Sequence, residues 1–226
     1  IKKDLKVNDL KSLSWVSNEG LSVSPVYHTP GKRYTPTPIN KQLLIESRIV
    51  ESNDSEIENT VNKAISDNCH SLYFENSSIN NLTQILSNIN LEDIHISLNT
   101  KEPQKDIASL ISNHKNKSEH IRGVLRTNEL TSIEDQLIMD KEFSSDLPLW
   151  SFVSISKYSN ELDLIKEVKF ISEQFRLLFD NVKKHEHCPG QITLFTKIGA
   201  NFFFEIAKLR AIRLIWEDLC NKNNIK

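Results

Sequence analysis

Cysteine, glycine and methionine are scarce in this chain: 3, 5 and 1 among 226 residues. Cys69, Cys188 and Cys220 are scattered and odd in number, which argues against a disulfide framework and for a reducing compartment, the cytoplasm. No apolar run approaches the length of a membrane span. Neither sign of charge dominates. The formal net charge is -2, so the chain carries no broad electrostatic footprint for nucleic acid or an anionic membrane. No G-x-G-x-x-G follows any extended run, which sets a dinucleotide-binding domain aside. No signal peptide is visible, and because the chain opens on Ile1 an original N-terminus is expected upstream. Few glycines with many Asn, Ile and Lys fit an AT-rich genome.

What is present fits a soluble globular protein: 38% hydrophobic and 26% charged residues, in a chain long enough to bury a sizeable core. The first forty residues differ from the rest. Pro25, Pro30, Pro36 and Pro38 make Val23 to Pro38 an extended arm, because proline fixes φ and removes a donor. A short helix is expected over Ile1 to Leu10, with Trp15 and Leu21 anchoring the arm on a surface. The chain therefore divides into an arm or subunit-contact segment, 1–40, and a folded domain, 41–226.

From Gln42 onward, extended apolar runs alternate with helical patterns about five times. The runs are Leu43 to Ile45, Ser71 to Phe74, Ile94 to Leu98, Gly123 to Leu125, Leu149 to Ser156 and Ile192 to Phe195. Helical stripes are Ile57, Val61, Ala64 and Ile65; Leu82, Ile85, Leu86 and Ile89; Ile107, Leu110 and Ile111; and a long one from Leu164 through Phe175 to Val182. Ser55 before Glu58 has the spacing of a capping box. The stretch before Leu149 reads as loop. Such alternation is the pattern of a parallel α/β sheet, either open and doubly wound or closed into a barrel.

His185-Glu186-His187-Cys188 is the one hint of metal ligation. A zinc site needs about four ligands, and no second cluster completes this one, so a solvated turn before Pro189-Gly190 is the better reading and no metal is expected.

The closing segment Ile198 to Leu219 raises a sharper question. At 100° per residue, Phe204, Leu209, Ile212, Ile215, Trp216 and Leu219 share one arc, with Arg210, Arg213 and Glu217 opposite. Glu205 and Lys208 fall inside the apolar arc, three residues apart, so they can meet. Neither is inexpensive to bury unpaired. Asn201 stands where an N-cap is expected, placing Glu205 where a helix N-terminus favours negative charge. A buried ion pair, a snorkelling lysine, or a role in orienting a site or subunit contact remain open; no direct catalytic role is assigned.

The same stretch, Phe202 to Trp216 with Gly199-Ala200-Asn201 ahead of it, resembles the barrel segment of methylmalonyl-CoA mutase. Trp150 to Ser156 followed by Tyr158 resembles the strand leading to that family's Tyr-His active-site pair. Trp15 to Gly20, with Val23, Pro25 and Tyr27, resembles its N-terminal segment. The resemblance implies an eight-stranded βα barrel followed by a cobalamin-binding domain, of which this chain holds the arm and about the first five βα units: a partial (β/α)8 TIM barrel. The Asp-x-His-x-x-Gly cobalamin motif does not occur.

The departures set the functional expectation. Ser159 follows Tyr158 where the family's catalytic chain has histidine, Lys157 replaces a small residue, and Glu46-Ser47 stand for an arginine-glutamine pair. Tyr158 and Ser159 thus mark a degenerate catalytic position. These losses resemble the non-catalytic small, or beta, subunit of the heterodimeric mutase. Adenosylcobalamin would then be held by the large-subunit partner, none on this chain. That complex interconverts (R)-methylmalonyl-CoA and succinyl-CoA. Rival readings are a cobalamin-free barrel enzyme using Tyr158 or Lys208 as acid or base, and a truncated barrel with no independent activity.

Overall fold

The computed structural model describes residues 10–17, 20–24, 44–50, 54–75, 78–88, 94–100, 102–113, 121–126, 131–156 and 164–225. A 3-10 turn, Leu10–Leu13, precedes a small antiparallel hairpin of β1 (Trp15–Val16) and β2 (Ser22–Val23). The arm's prolines lie outside the described residues, as does all but Leu10 of the helix expected at the start.

The main body alternates strand and helix. Its strands are β3 (Glu46–Val50), β4 (Ser71–Glu75), β5 (His95–Asn99), β6 (Arg122–Arg126), β7 (Trp150–Ser151), β8 (Val153–Ile155) and β9 (Ile192–Leu194). Its helices are α1 (Asp54–Ser66), α2 (Ile79–Asn88), α3 (Gln104–Ser112), α4 (Ile133–Phe143), α5 (Leu164–His185) and α6 (Phe202–Asn223). Strands β3 to β7 form a parallel sheet in sequence order, and β8 pairs in parallel with β9. Strands β7 and β8 are two halves of one run, broken only at Phe152. Six strand–helix pairs result, where the sequence promises about five.

The difference is α4, which the sequence reading leaves as loop. Ser132 caps it by accepting from Asp135 N at 3.1 Å. Its inner face holds Ile133, Leu137, Met139 and Phe143, but also the buried Gln136 and Asp140. Two polar residues on the packed face hide its period. The first strand is also displaced, running over Glu46–Val50 instead of Leu43 to Ile45. Ile65 and Leu209, assigned to apolar faces, are 37% and 39% exposed.

The helix-facing side of the sheet is apolar. Leu72, Ile96, Leu98 and Leu125 pack with Ile57, Val61, Leu86, Ile107 and Ile111 of the first three helices. Val153 and Ile155 pack with Ile171, Phe175 and Leu178 of α5 and Ile212 of α6. Each fully buried large side chain stabilises by about 1.5–3 kcal/mol relative to exposure. Consecutive helices are neighbours from α1 to α6, so all six line one side.

The opposite face is polar. Cross-strand rows run Glu46, Ser71, His95, Arg122, then Arg48, Tyr73, Ser97, Val124, then Val50, Glu75, Asn99, Arg126, with only two valines among them. One contact fixes its shape. Arg126 of β6 reaches Glu46 of β3 at 2.5 Å, although three strand spacings on a flat sheet would separate the backbones by roughly 14 Å. The sheet is therefore strongly curled, with helices outside and a polar concave face inside, as in part of an α/β barrel.

Candidate functional site

Arg126 is the centre of the concave face. Its guanidinium lies 3.8 Å from the centre of the Tyr73 ring and 4.3 Å from that of Phe195, an aromatic sandwich that suits a flat, weakly hydrated cation. Nε donates to Ser97 Oγ at 2.7 Å and Nη2 donates to Glu46 Oε1. The other Glu46 oxygen accepts from Ser71 Oγ at 3.0 Å. Ser71 Oγ in turn lies 3.3 Å from His95 Nδ1. Burial pushes the His95 imidazole below its ordinary value; Glu46 pulls it up, while Arg126 and Arg122 push it down. Tyr73 OH accepts from Asn99 Nδ2 at 3.2 Å. Arg48 is matched separately: hydrogen bonding to Glu75 and the attraction of that carboxylate raise its guanidinium. Arg48 and Arg126 are each spent on a carboxylate of the chain itself, while Arg122 stands beside His95 in the Glu46 row.

A second cluster lies at the C-terminal end of β9. Lys208 has 2% of its side chain exposed. Its Nζ meets Glu205 Oε2 at 2.6 Å and donates to Glu167 Oε2 at 2.9 Å and the Lys197 carbonyl at 2.5 Å. Thr196 Oγ1 donates to the other Glu167 oxygen at 2.6 Å. Burial alone would lower the ammonium, but the hydrogen bonds and attraction of Glu205 and Glu167 outweigh it and hold Lys208 above its ordinary value. Gly199 lies close to this cluster: a Cβ there would stand 2.9 Å from Glu205 Oε1, so the carboxylate would have to shift to admit one. The triad joins the first turn of α5, the strand end and the first two turns of α6. Such a lysine, enclosed by three acceptors, is shaped as an anchor and not as a proton shuttle. Asn201 occupies the N-cap position of α6, but its side chain makes no capping bond; Glu205 N donates to the Asn201 carbonyl at 3.0 Å instead.

The His185–Cys188 turn is tied down more firmly than a solvated turn. His187 Nε2 lies 2.7 Å from Oδ2 of Asp140, whose side chain is 1% exposed. Burial raises the Asp140 carboxyl, and His187 opposes that shift. His185 Nε2 lies 3.0 Å from Glu134. Among the described residues no group of three or more His, Cys, Asp and Glu could hold a metal ion. Lys157, Tyr158 and Ser159 lie outside the described residues.

Sequence reasoning missed Arg126, Tyr73, Ser97 and Glu167. An arginine on a strand whose neighbours are apolar is the only local sign of Arg126.

Residues 178–225 match the methylmalonyl-CoA mutase family. The match runs from the second half of α5 through β9 and α6, so it includes the Glu205–Lys208 part of the triad. A methylmalonyl-CoA mutase of Cereibacter sphaeroides is 30% identical over 86 residues, 35% of this chain and 12% of that protein. The matched stretch thus spans a small part of the curated relative.

That family uses a cobalamin, and the described histidines do not fit one. His70 precedes β4, His95 opens β5, and His185 and His187 precede β9. All four stand toward the N-terminal ends of strands, whereas barrel active sites open at the C-terminal ends. His187 and His185 are also held by carboxylates.

Proposed function

We propose that this chain is a non-catalytic small-subunit polypeptide of an adenosylcobalamin-dependent methylmalonyl-CoA mutase. It supports the interconversion of (R)-methylmalonyl-CoA and succinyl-CoA carried out in a large-subunit partner. Its barrel is a partial TIM barrel, and residues 1–40 form the segment that contacts the partner. The three free cysteines, Cys69, Cys188 and Cys220, suit a reducing cytoplasm.

The observation that carries this reading is the Glu46–Arg126 pair. A mutase barrel must offer its concave face to an anionic thioester. Here Glu46 adds a carboxylate to that face, and the Arg126 guanidinium, set against the Tyr73 and Phe195 rings, is already matched by it. A methylmalonyl carboxylate would meet, in Arg126, a cation that the chain's own acid already answers. The family similarity over β9 and α6, together with the sequential parallel sheet, supports a shared scaffold.

The isolated chain is expected neither to bind adenosylcobalamin nor to isomerise methylmalonyl-CoA. Gel filtration of the chain after mixing with adenosylcobalamin, followed by absorbance of the protein peak, tests this. Stoichiometric cobalamin in that peak contradicts the proposal.

A further inference from the structure

We propose that the turn between α5 and β9 is a pH-dependent latch: protonated His185 and His187 fasten it to two carboxylates of α4, and loss of their protons loosens it. This goes beyond the mutase reading and does not depend on it.

His185 closes α5, and His187 stands two residues beyond it. His185 Nε2 lies 3.0 Å from Glu134 Oε1, and His187 Nε2 lies 2.7 Å from Asp140 Oδ2. Glu134 and Asp140 both belong to α4. Two imidazoles on one turn therefore meet two acids on one helix. Both histidines are partly covered, and the Asp140 carboxylate is almost wholly buried. A carboxylate so placed is costly to ionise unless a cation answers it. Imidazole is the side chain that gains or loses its charge between about pH 5 and 8.

The backbone of the turn needs a fastener. His187 N donates to the Val182 carbonyl at 3.3 Å, five residues back, as in a Schellman helix end. That motif favours glycine at its left-handed position, but Glu186 occupies it with φ 49°. A residue held there persists because its surroundings hold it.

The charges that face the turn give the coupling its sign. From α4 they are Glu134, Asp140 and Lys141, whose Nζ donates to the His185 carbonyl at 3.4 Å. From α5, Lys184 meets Glu134 at 2.7 Å, while Lys183 and Glu186 are exposed. From α6, the exposed Arg213 and Glu217 and the half-buried Cys220 line the same surface as Cys188 and Gly190. Hydrogen bonds from Lys184 and His185 hold the Glu134 carboxyl below its ordinary range, so Glu134 stays charged above pH 5. Burial raises the Asp140 carboxyl against the pull of His187. The latched turn thus holds more protons than the released one, and the latch weakens as pH rises.

Residue-resolved hydrogen exchange on the full chain, corrected for the intrinsic pH dependence of exchange, tests this at pH 5.5 and 8. The His187 amide should be about tenfold more protected at pH 5.5, the equivalent of one pKa unit of coupling. Amides of Leu72 to Phe74 in β4 should not follow that slope. His187→Gln keeps a donor for Asp140 but cannot take up a proton, so its amide 187 should show equal protection at the two pH values. Circular dichroism reads whether the variant folds; the wild-type comparison stands without it. Equal protection of the wild-type His187 amide at both pH values overturns the proposal. So does a slope shared by the β4 amides, which marks global unfolding, or an unchanged slope in folded His187→Gln.

Discussion

Lys208 keeps its charge with 2% of its side chain in contact with solvent, and three oxygens make that possible. Removing it would leave Glu205 and Glu167, 13% and 12% exposed, facing each other without a cation. Loss of one member of a buried ionic group typically costs about 3–5 kcal/mol, so Lys208→Met should lower stability by that order in a urea melt. Adding Glu205→Leu should recover only part, because Glu167 remains; Glu167→Gln on top should recover more. A loss under about 1 kcal/mol would mean a solvated pair and contradict this burial. The pH dependence has a definite sign. The folded state holds the Lys208 proton above its ordinary value of 10.5. The contribution is therefore complete below that value and disappears as pH rises through the folded one, a loss absent in Lys208→Met. His95 gives the opposite case. Its folded value lies below the ordinary 6.5, so the unfolded chain binds the extra proton and stability falls as pH drops below about 6.5. His95→Gln should flatten that slope; equal slopes for the two proteins would contradict it.

At the scale of elements, tight contacts and hidden periods decide the outcome. Strand β6 can lie beside β7 because position 123 has no side chain. A Cβ there would enter the Trp150 ring and stand 2.5 Å from the Ile96 carbonyl oxygen. Neither can move aside: Trp150 is 2% exposed and the carbonyl belongs to the sheet backbone. Gly123→Ala should cost about 1–3 kcal/mol through overpacking, read as a lowered melting temperature; an unchanged one would show that the sheet yields there. Helix α4 shows where a sequence pattern fails. Gln136 Oε1 accepts from the buried Ser154 N–H at 2.8 Å, and Asp140 receives His187. Those partners lie far along the chain, so two buried polar residues with distant partners look like breaks in an apolar stripe. In α5 nothing polar intrudes at Ile171, Phe175 and Leu178, and its core face was legible. Glu205 and Lys208 were legible for the converse reason: charges inside an apolar arc, one turn apart, select each other. Glu167, 41 residues before Lys208, and Glu46, 80 before Arg126, leave no local trace.

At the scale of the whole molecule, the described residues form six parallel strand–helix pairs, curled around a polar face on which Arg48 and Arg126 are answered by the chain's own acids. Alternation of strands and helices made a parallel α/β sheet legible, but not its curvature, which rests on side chains meeting across three strands. The resemblance in α6 extends to the family match over 178–225, while the catalytic position at Tyr158 lies outside the described residues. The central claim is that this chain serves a mutase partner without doing the chemistry. Its most direct measurement is co-expression with the mutase large subunit of the same organism, followed by gel filtration with light scattering and an assay of methylmalonyl-CoA isomerisation in each fraction. The account predicts one peak containing both chains, with cobalamin and activity in that peak and none in the peak of this chain alone. Separate elution of the two proteins, with a fully active large subunit indifferent to this chain, would contradict it.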